Sequence, residues 1–271
     1  MPLILDKVKQ VVRKPVYGFL SHPAVRKWRT DNFSSPRVAL GERNRYLRKG
    51  DWITVDLAEA DFNIDLRARI PLPFDDDSRE VVYSAHTFEH LDNETVAFLM
   101  KECRRILKPG GGFRVEVPDL EKFVHAYRTH DRHFLGYFQD SHRRELVEQR
   151  GFPVKYAEEQ VAFIGEVSNY IVDQKHIPVY ATREEVDARL ASLGLSEFGD
   201  WCVSLQTEEQ RRSGGHINPF FRDKMETMLR EAGFREVFFS KCGETRIPGL
   251  NLDEVERPHR AFFSLYAEAI K

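Results

Sequence analysis

The run from Glu80 to Asp119 constrains the fold more than any other part of this chain. Val81 to Ala85 (VVYSA) is apolar in type, the pattern of a buried strand. A short polar turn, His86 to His90 (HTFEH), leads into Asn93 to Leu107. There Val96, Leu99, Met100, Cys103, Ile106 and Leu107 recur at helical spacing. Asp92 or Asn93 is placed to cap that helix, and Lys108-Pro109-Gly110 to end it. Phe113 to Val117 reads as the next strand. Strand, helix, glycine break and strand form one repeat of a mostly parallel, doubly wound α/β sheet. Such sheets take ligands beyond the carboxyl ends of their strands, and His86, Glu89 and His90 fall just past one.

The flanking sequence extends the pattern. Pro36 to Leu40 (PRVAL), ending at Gly41, and Trp52 to Asp56 (WITVD) read as earlier strands, with Phe62 to Leu66 (FNIDL) as a weaker third. From Leu120 to about Gly215 the strand pattern gives way to polar, aromatic, helical sequence. Pro219 to Ala232 is an amphipathic helix stopped by Gly233. Val237 to Ser240 and Ala261 to Ala269 read as the last two strands, a closing hairpin. The expected divisions are a basic helical segment (1–35), an α/β half (36–120), a helical insertion (121–215) serving as cap or interaction surface, and the closing elements (216–271).

Charge and cysteine usage narrow the function classes. A formal net charge of -2 gives no general attraction for nucleic acid, and no such partner is expected. Cys103, Cys202 and Cys242 have neither disulfide-framework nor CxxC spacing, which suits a reducing, cytoplasmic compartment. No apolar run approaches the roughly 20 residues of a membrane span, and no signal-peptide pattern opens the chain. Residues 1–30 are locally basic, with Leu5, Val8 and Val12 at helical spacing beside Lys7, Lys9, Arg13 and Lys14. Two readings stay open there: a helix packed on the domain with solvated lysines, or a peripheral contact with an anionic inner-membrane surface.

Several strings together resemble class I S-adenosylmethionine-dependent methyltransferases, more narrowly the predicted methyltransferases of bacterial surface-polysaccharide clusters. They are VALG (38–41), ITVDL (53–57), PLPFDDDS (71–78), VVYSAHTFEHL (81–91), ECRRILKPGGGFRVEVPDL (102–120), GGHINPF (214–220), LREAGF (229–234) and SLYAEAIK (264–271). The resemblance implies a Rossmann-like methyltransferase fold with an antiparallel last strand, and S-adenosylmethionine as cofactor. Asp56 would hold the cofactor's ribose diol, since a carboxylate accepts two hydrogen bonds from vicinal hydroxyls. Gly41 and Glu42 would meet the methionine end, with Arg43 set for its carboxylate. Asp65 would serve the adenine side, Ser84 or Ala85 would flank the sulfonium, and Leu57 is a further cofactor-binding candidate. The implied acceptor is a hydroxyl of a sugar, a nucleotide sugar or a lipid-linked glycan.

One departure stands out. The family's first turn is glycine-rich, whereas this chain reads Gly41-Glu42-Arg43-Asn44. Gly41 and Asp56 are also closer than the roughly 20 residues of a dinucleotide fold. A methyltransferase-like binding module with a closed pocket is therefore the alternative to an active enzyme.

HTFEH itself admits several chemistries. As a string it matches the inverted zinc-peptidase motif, but it follows a strand directly where that motif needs a helix. A second reading is a divalent metal held by His86, Glu89, His90 and His216. Its spacing resembles the Glu-x-x-Glu-His site of certain magnesium-dependent O-methyltransferases, with an imidazole favouring zinc, iron or manganese. A third uses His86 as general base, oriented by Glu89, with His90 as a packing residue. A fourth is the plain one, in which the turn only caps and packs. His125, His130, His133 and His142, among Arg128, Arg132, Arg143 and Arg144, read as a solvated basic face or a dock for an anionic substrate. Tyr127, Phe134, Tyr137, Phe138, Tyr156, Phe163 and Tyr170 read as core or as platforms for sugar rings.

Overall fold

The computed structural model describes residues 33–43, 51–168, 179–212 and 214–271. The basic segment 1–32, Asn44 and Tyr170 lie outside them. Seven strands form one sheet: β1 (Arg37–Leu40), β2 (Trp52–Asp56), β3 (Phe62–Asn63), β4 (Arg79–Ala85), β5 (Leu107–Pro118), β6 (Glu236–Ser240) and β7 (Ser264–Ile270). Their spatial order is β3-β2-β1-β4-β5-β7-β6. Pairs from β3 to β5 are parallel, and β7 runs antiparallel to both β5 and β6. The sequence expectation of a Rossmann-like sheet with an antiparallel last strand therefore holds.

Alternation along the strands sends side chains to two faces. On one face Val38, Leu40, Val82, Phe113 and Val115 pack against helix α1 (Asn93–Ile106), through Val96, Leu99, Met100, Cys103 and Ile106. Asp92 caps α1 by accepting from Thr95 N at 2.7 Å, the bond that makes this residue type favourable there. The other face presents Ala39, Trp52, Val81, Tyr83 and Ala85, and it meets Ile247, Leu250 and Val255. These three come from the connection between β6 and β7. Among the described residues that connection covers a face that helices cover in most doubly wound sheets. β2 reaches β3 through residues 57–61 alone, where Asp61 Oδ2 accepts from Thr54 N at 2.9 Å in place of a crossover helix. Burying each of the three aliphatic side chains contributes about 1.5–3 kcal/mol.

Several boundaries differ from the sequence reading, each for a local reason. The strand after α1 begins at Leu107, because Gly110 N and Gly111 O pair with Lys271 O and N at 2.9 and 3.0 Å. Gly112 has no room for a side chain, since a Cβ would stand 2.5 Å from Ile247 Cγ1. Of FNIDL only Phe62–Asn63 is strand; Asp65 instead caps the short turn Leu66–Ala68. The helix expected from Pro219 starts at Arg222 (α8, Arg222–Glu231), because Phe220 bridges Asp119 in extended form. The last strand starts at Ser264, after a turn at Pro258–Arg260. The last two strands pair antiparallel as the expected closing hairpin, joined by a long strap.

Between β5 and α8 the described residues include α2 (Leu120–Arg128), α3 (Arg132–His142), α4 (Glu159–Ser168), α5 (Arg183–Ser192), α6 (Leu195–Ser204) and α7 (Glu208–Arg212). These helices bury Phe123, Tyr127, Leu135, Phe138, Phe163 and Phe198 in a core of their own. Tyr127 stacks on Phe163 and Phe163 on Phe198, with centroids 4.8 and 5.6 Å apart. No helix among the described residues is long and apolar enough to cross a membrane.

Candidate active site

The turn after β4 is shaped by backbone before side chains. His86 takes φ +49°, and its N–H donates to Glu116 O at 2.8 Å. That left-handed step is uncommon outside glycine, and it ends the strand and turns the chain toward Phe88–His90, one tight helical turn. The His86 ring is then fixed at both nitrogens. Nε2 lies 2.9 Å from Ser264 Oγ, and Nδ1 lies 3.2 Å from Glu89 Oε1. Burial pushes the His86 imidazole below its ordinary value, against the pull of Glu89. Burial thus favours the neutral imidazole, the form that can accept a proton.

Glu89 is 2% exposed. Neither of its oxygens makes a well-formed hydrogen bond among the described residues. Burial would raise its pKa, but His86 against it and the charges of His86, His90 and His216 bring it down to about 2. His216 approaches from the loop before α8, with Nε2 3.9 Å from Glu89 Oε1. Burial presses its imidazole down to about 3. The loop is clamped to the turn by backbone: Ile217 N and Asn218 N donate to Glu89 O at 2.8 and 3.1 Å, and Asn218 Nδ2 donates to Leu91 O at 2.9 Å. His90 and His216 meet edge to face, centroids 4.8 Å apart. The structure thus brings together all four residues of the sequence reading. Glu89, His90 and His216 form a group whose ligand atoms lie within 4.8 Å of one another.

The residues considered for a cofactor sit at the ends of β1, β2 and β4, and arginines attend their acids. Arg43 Nε lies 3.5 Å from Asp56 Oδ2, while Asp56 Oδ1 accepts from Leu57 N at 2.6 Å. Leu57 is exposed. Glu42 is buried and bound by Arg257 Nη2 at 2.8 Å; burial nevertheless raises its pKa. Asp65 is half-exposed and held by Arg67, whose hydrogen bonds lower its pKa. Ser84 Oγ donates to Leu40 O at 2.9 Å, stitching β4 to β1, and Ala85 packs under the strap. Gly41, at φ +72°, has Thr87 against it: a Cβ there would stand 2.0 Å from Thr87 Oγ1. Asp56, at a strand end with one long ion pair, fits a ribose diol. Glu42 fits an ammonium group once Arg257 is displaced.

Sequence reasoning missed three contributors, all from the strap or its end: Ser264, Arg257 and Arg260. Burial lowers the Arg260 pKa, with Arg257 adding to the effect and the charges of Glu89 and Glu42 opposing it. Nothing in the local sequence marks these residues, because their partners lie far away in the chain. Ser264 also lines an open cleft with Lys122, Arg222, Lys241, Phe262 and Tyr266.

The insertion's histidines separate. His142 is fully buried, its Nδ1 3.1 Å from Tyr156 O, so it belongs to the core and not to a solvated basic face. His125, His130 and His133 are exposed. Phe123, Phe138 and Phe163 are core as well, whereas Tyr137 is 54% exposed and meets Phe262 edge to face at 5.2 Å.

Residues 55–115, from the end of β2 into β5, match the family described as "Methyltransferase domain". Among solved structures, a SAM-dependent methyltransferase from Archaeoglobus fulgidus is similar at 14% identity, covering 98% of this chain and 99% of that one, with a TM-score of 0.38. The putative methyltransferase complexed with the Trm112 activator of Haloferax volcanii matches at 17% identity, over 90% of each chain, TM-score 0.39. A SAM-dependent methyltransferase from Mesorhizobium loti matches at 15% identity, over 93% of this chain and 98% of that one, TM-score 0.39. No curated protein matches.

Proposed function

We propose that this chain is an S-adenosylmethionine-dependent methyltransferase that methylates a hydroxyl of a sugar-containing acceptor. One observation carries the reading. The methyltransferase-domain match begins at the end of β2, beside Asp56, and runs through the His86–Glu89 turn into β5. It therefore spans a strand-end acid suited to a ribose diol and a buried imidazole–carboxylate pair suited to proton transfer.

Asp56 and Glu42 would hold the cofactor, which would supply an electrophilic methyl carbon to the acceptor oxygen and leave as the thioether. The chain's own work is to hold the reactants and take one proton. Asp56 would accept from the ribose hydroxyls in place of Arg43. His86 would receive the acceptor's proton at Nε2, where Ser264 Oγ now stands, and Glu89 would stabilise the imidazolium formed. Holding the acceptor oxygen in line supplies much of the rate. A divalent cation beside this pair would lower the pKa of the attacked hydroxyl. Tyr137 and Phe262 offer exposed rings for a sugar face. The cleft reaching Ser264, where Lys122, Arg222 and Lys241 stand beside Asp119 and Glu244, offers cations for the phosphates of a nucleotide sugar or a lipid-linked glycan. The cytoplasmic, membrane-peripheral setting expected for such an acceptor belongs to the same proposal.

Isothermal titration with S-adenosylmethionine and S-adenosylhomocysteine tests it. Binding is expected, and it should weaken in Asp56→Ala while His86→Ala leaves it intact. Absence of heat at millimolar cofactor sinks the enzyme reading and leaves a binding module.

A further inference from the structure

We propose that Glu89, His90 and His216 bind a divalent first-row cation, zinc foremost, as three protein ligands with at least one coordination position open. The three donors lie within 4.8 Å of one another, and His216 Nε2 is 3.9 Å from Glu89 Oε1. A tetrahedral ion with bonds of about 2.1 Å spaces its donors roughly 3.4 Å apart, so the widest pair needs to close by at most about 1.4 Å. The backbone clamps from Ile217 and Asn218 to Glu89 O hold the two ligand-bearing segments in register without using any ligand atom.

The ring orientations point the same way. His216 Nδ1 is 2.9 Å from Glu166 O, and His90 Nδ1 is 3.3 Å from Gly215 O. Each imidazole is thereby anchored at one nitrogen, leaving Nε2 as the lone-pair donor, the arrangement by which proteins orient metal-binding histidines. Gln206 Nε2 donates to His216 O at 2.7 Å and steadies the loop further. Glu89 supplies the independent sign. This carboxylate, 98% removed from solvent, meets His86 Nδ1 at 3.2 Å and His216 Nε2 at 3.9 Å, yet neither oxygen makes a well-formed hydrogen bond, so lone pairs remain for a cation. A small cavity bordered by Glu89 and His216 adjoins the group, its other walls apolar from Leu120, Phe123, Val167 and Phe220. His86 reaches Glu89 Oε1 and Ser264 and stands outside the converging three.

Two imidazoles and one carboxylate with an open position suit zinc or iron, and suit magnesium poorly. The open position would take the acceptor's hydroxyl oxygen, which His86 could then deprotonate. That role rests on the methyltransferase reading; metal binding does not. The test is elemental analysis of the purified full chain, followed by chelator treatment and titration with cobalt(II) read by its visible bands. About one equivalent of metal and a saturable cobalt spectrum are expected. Losing a residue that merely orients a ligand costs about 10–100-fold in affinity, so Glu89→Gln should weaken cobalt binding by at least that much. His90→Asn is the second variant should Glu89→Gln fail to fold. Less than a tenth of an equivalent of metal, with no cobalt spectrum at millimolar ion, overturns the proposal. So does an unchanged affinity in a folded ligand variant. Cofactor binding without metal would defeat this site alone, and metal without cofactor would defeat the methyltransferase alone.

Discussion

Arg114 lies at the centre of the sheet with no solvent exposure, and three carboxylates share it. Glu268 Oε1 is 2.6 Å from Nη1 and Glu256 binds Nη2, whereas Glu116 Oε1 stands 3.6 Å from Nε. Glu116 also accepts from Tyr83 OH at 2.9 Å, with Tyr266 and Cys242 close enough to feel its charge. Three negative charges against one positive in a dry setting are too many. Burial accordingly pushes Glu116 up from 4.5 to about 7, more than Arg114 and Tyr83 can offset. The folded chain then holds a proton that the unfolded chain has lost between pH 4.5 and 7. With more protons bound in the native state, stability falls as pH rises through that window and levels off above it. Moving the Glu116 pKa from 4.5 to about 7 corresponds to about 3 kcal/mol. Glu116→Gln removes the titration while keeping the shape. Urea unfolding of both proteins from pH 4.5 to 8 should show the variant gaining about 3 kcal/mol relative to wild type across the range. A difference that stays flat, or that falls with pH, refutes the assignment of the proton to Glu116.

Two further outcomes are expected. Gly41→Ala forces an alanine to φ +72°, worth about 1–2 kcal/mol, and drives its Cβ into Thr87. Adding Thr87→Gly should restore part of the lost thermal stability, and no restoration would show that the contact is not what excludes a side chain. Arg257→Ala strands the buried Glu42 and should cost about 3 kcal/mol or more at pH 8. The loss should shrink as pH falls, because burial raises the Glu42 pKa and so favours its protonation. If Glu42 serves the cofactor's ammonium group, saturating S-adenosylmethionine should raise the melting temperature of this variant more than that of wild type; equal shifts would exclude the role.

The sequence made some parts legible because their signals are local. Helix α1 announces itself through Val96, Leu99, Met100, Cys103 and Ile106, one face of a single helix, with Asp92 as its cap. The buried strand VVYSA and the turn HTFEH are contiguous, so the order of elements at the site could be read directly. His216 was within reach because GGHINPF resembles a known string. What escaped depends on contacts across long separations. Arg114 reads as an ordinary charge on a strand, and only the fold brings Glu256 and Glu268 to it. His142 looked like part of a basic surface because its neighbours Arg143 and Arg144 are exposed, yet the helix turns it into the core toward Tyr156. The length of β5 was hidden by KPGGG, whose glycines read as a break but pair with Lys271.

The strap between β6 and β7 ties these misses together. It packs Ile247, Leu250 and Val255 on the face opposite α1, so it completes the core where the connection from β2 to β3 has no helix. The same segment sends Glu256 to Arg114, Arg257 to Glu42 and Arg260 toward Glu42 and Glu89, and it ends at Ser264 on His86. One stretch thus contributes to sheet stability and to the charge balance of the site. The short Gly41-Glu42-Arg43-Asn44 turn then need not mean a closed pocket. Glu42 is neutralised by an arginine carried on the strap, so access to it depends on one ion pair. The cofactor question raised by that turn becomes a question about Arg257, and a substitution there leaves the sequence of the turn itself untouched.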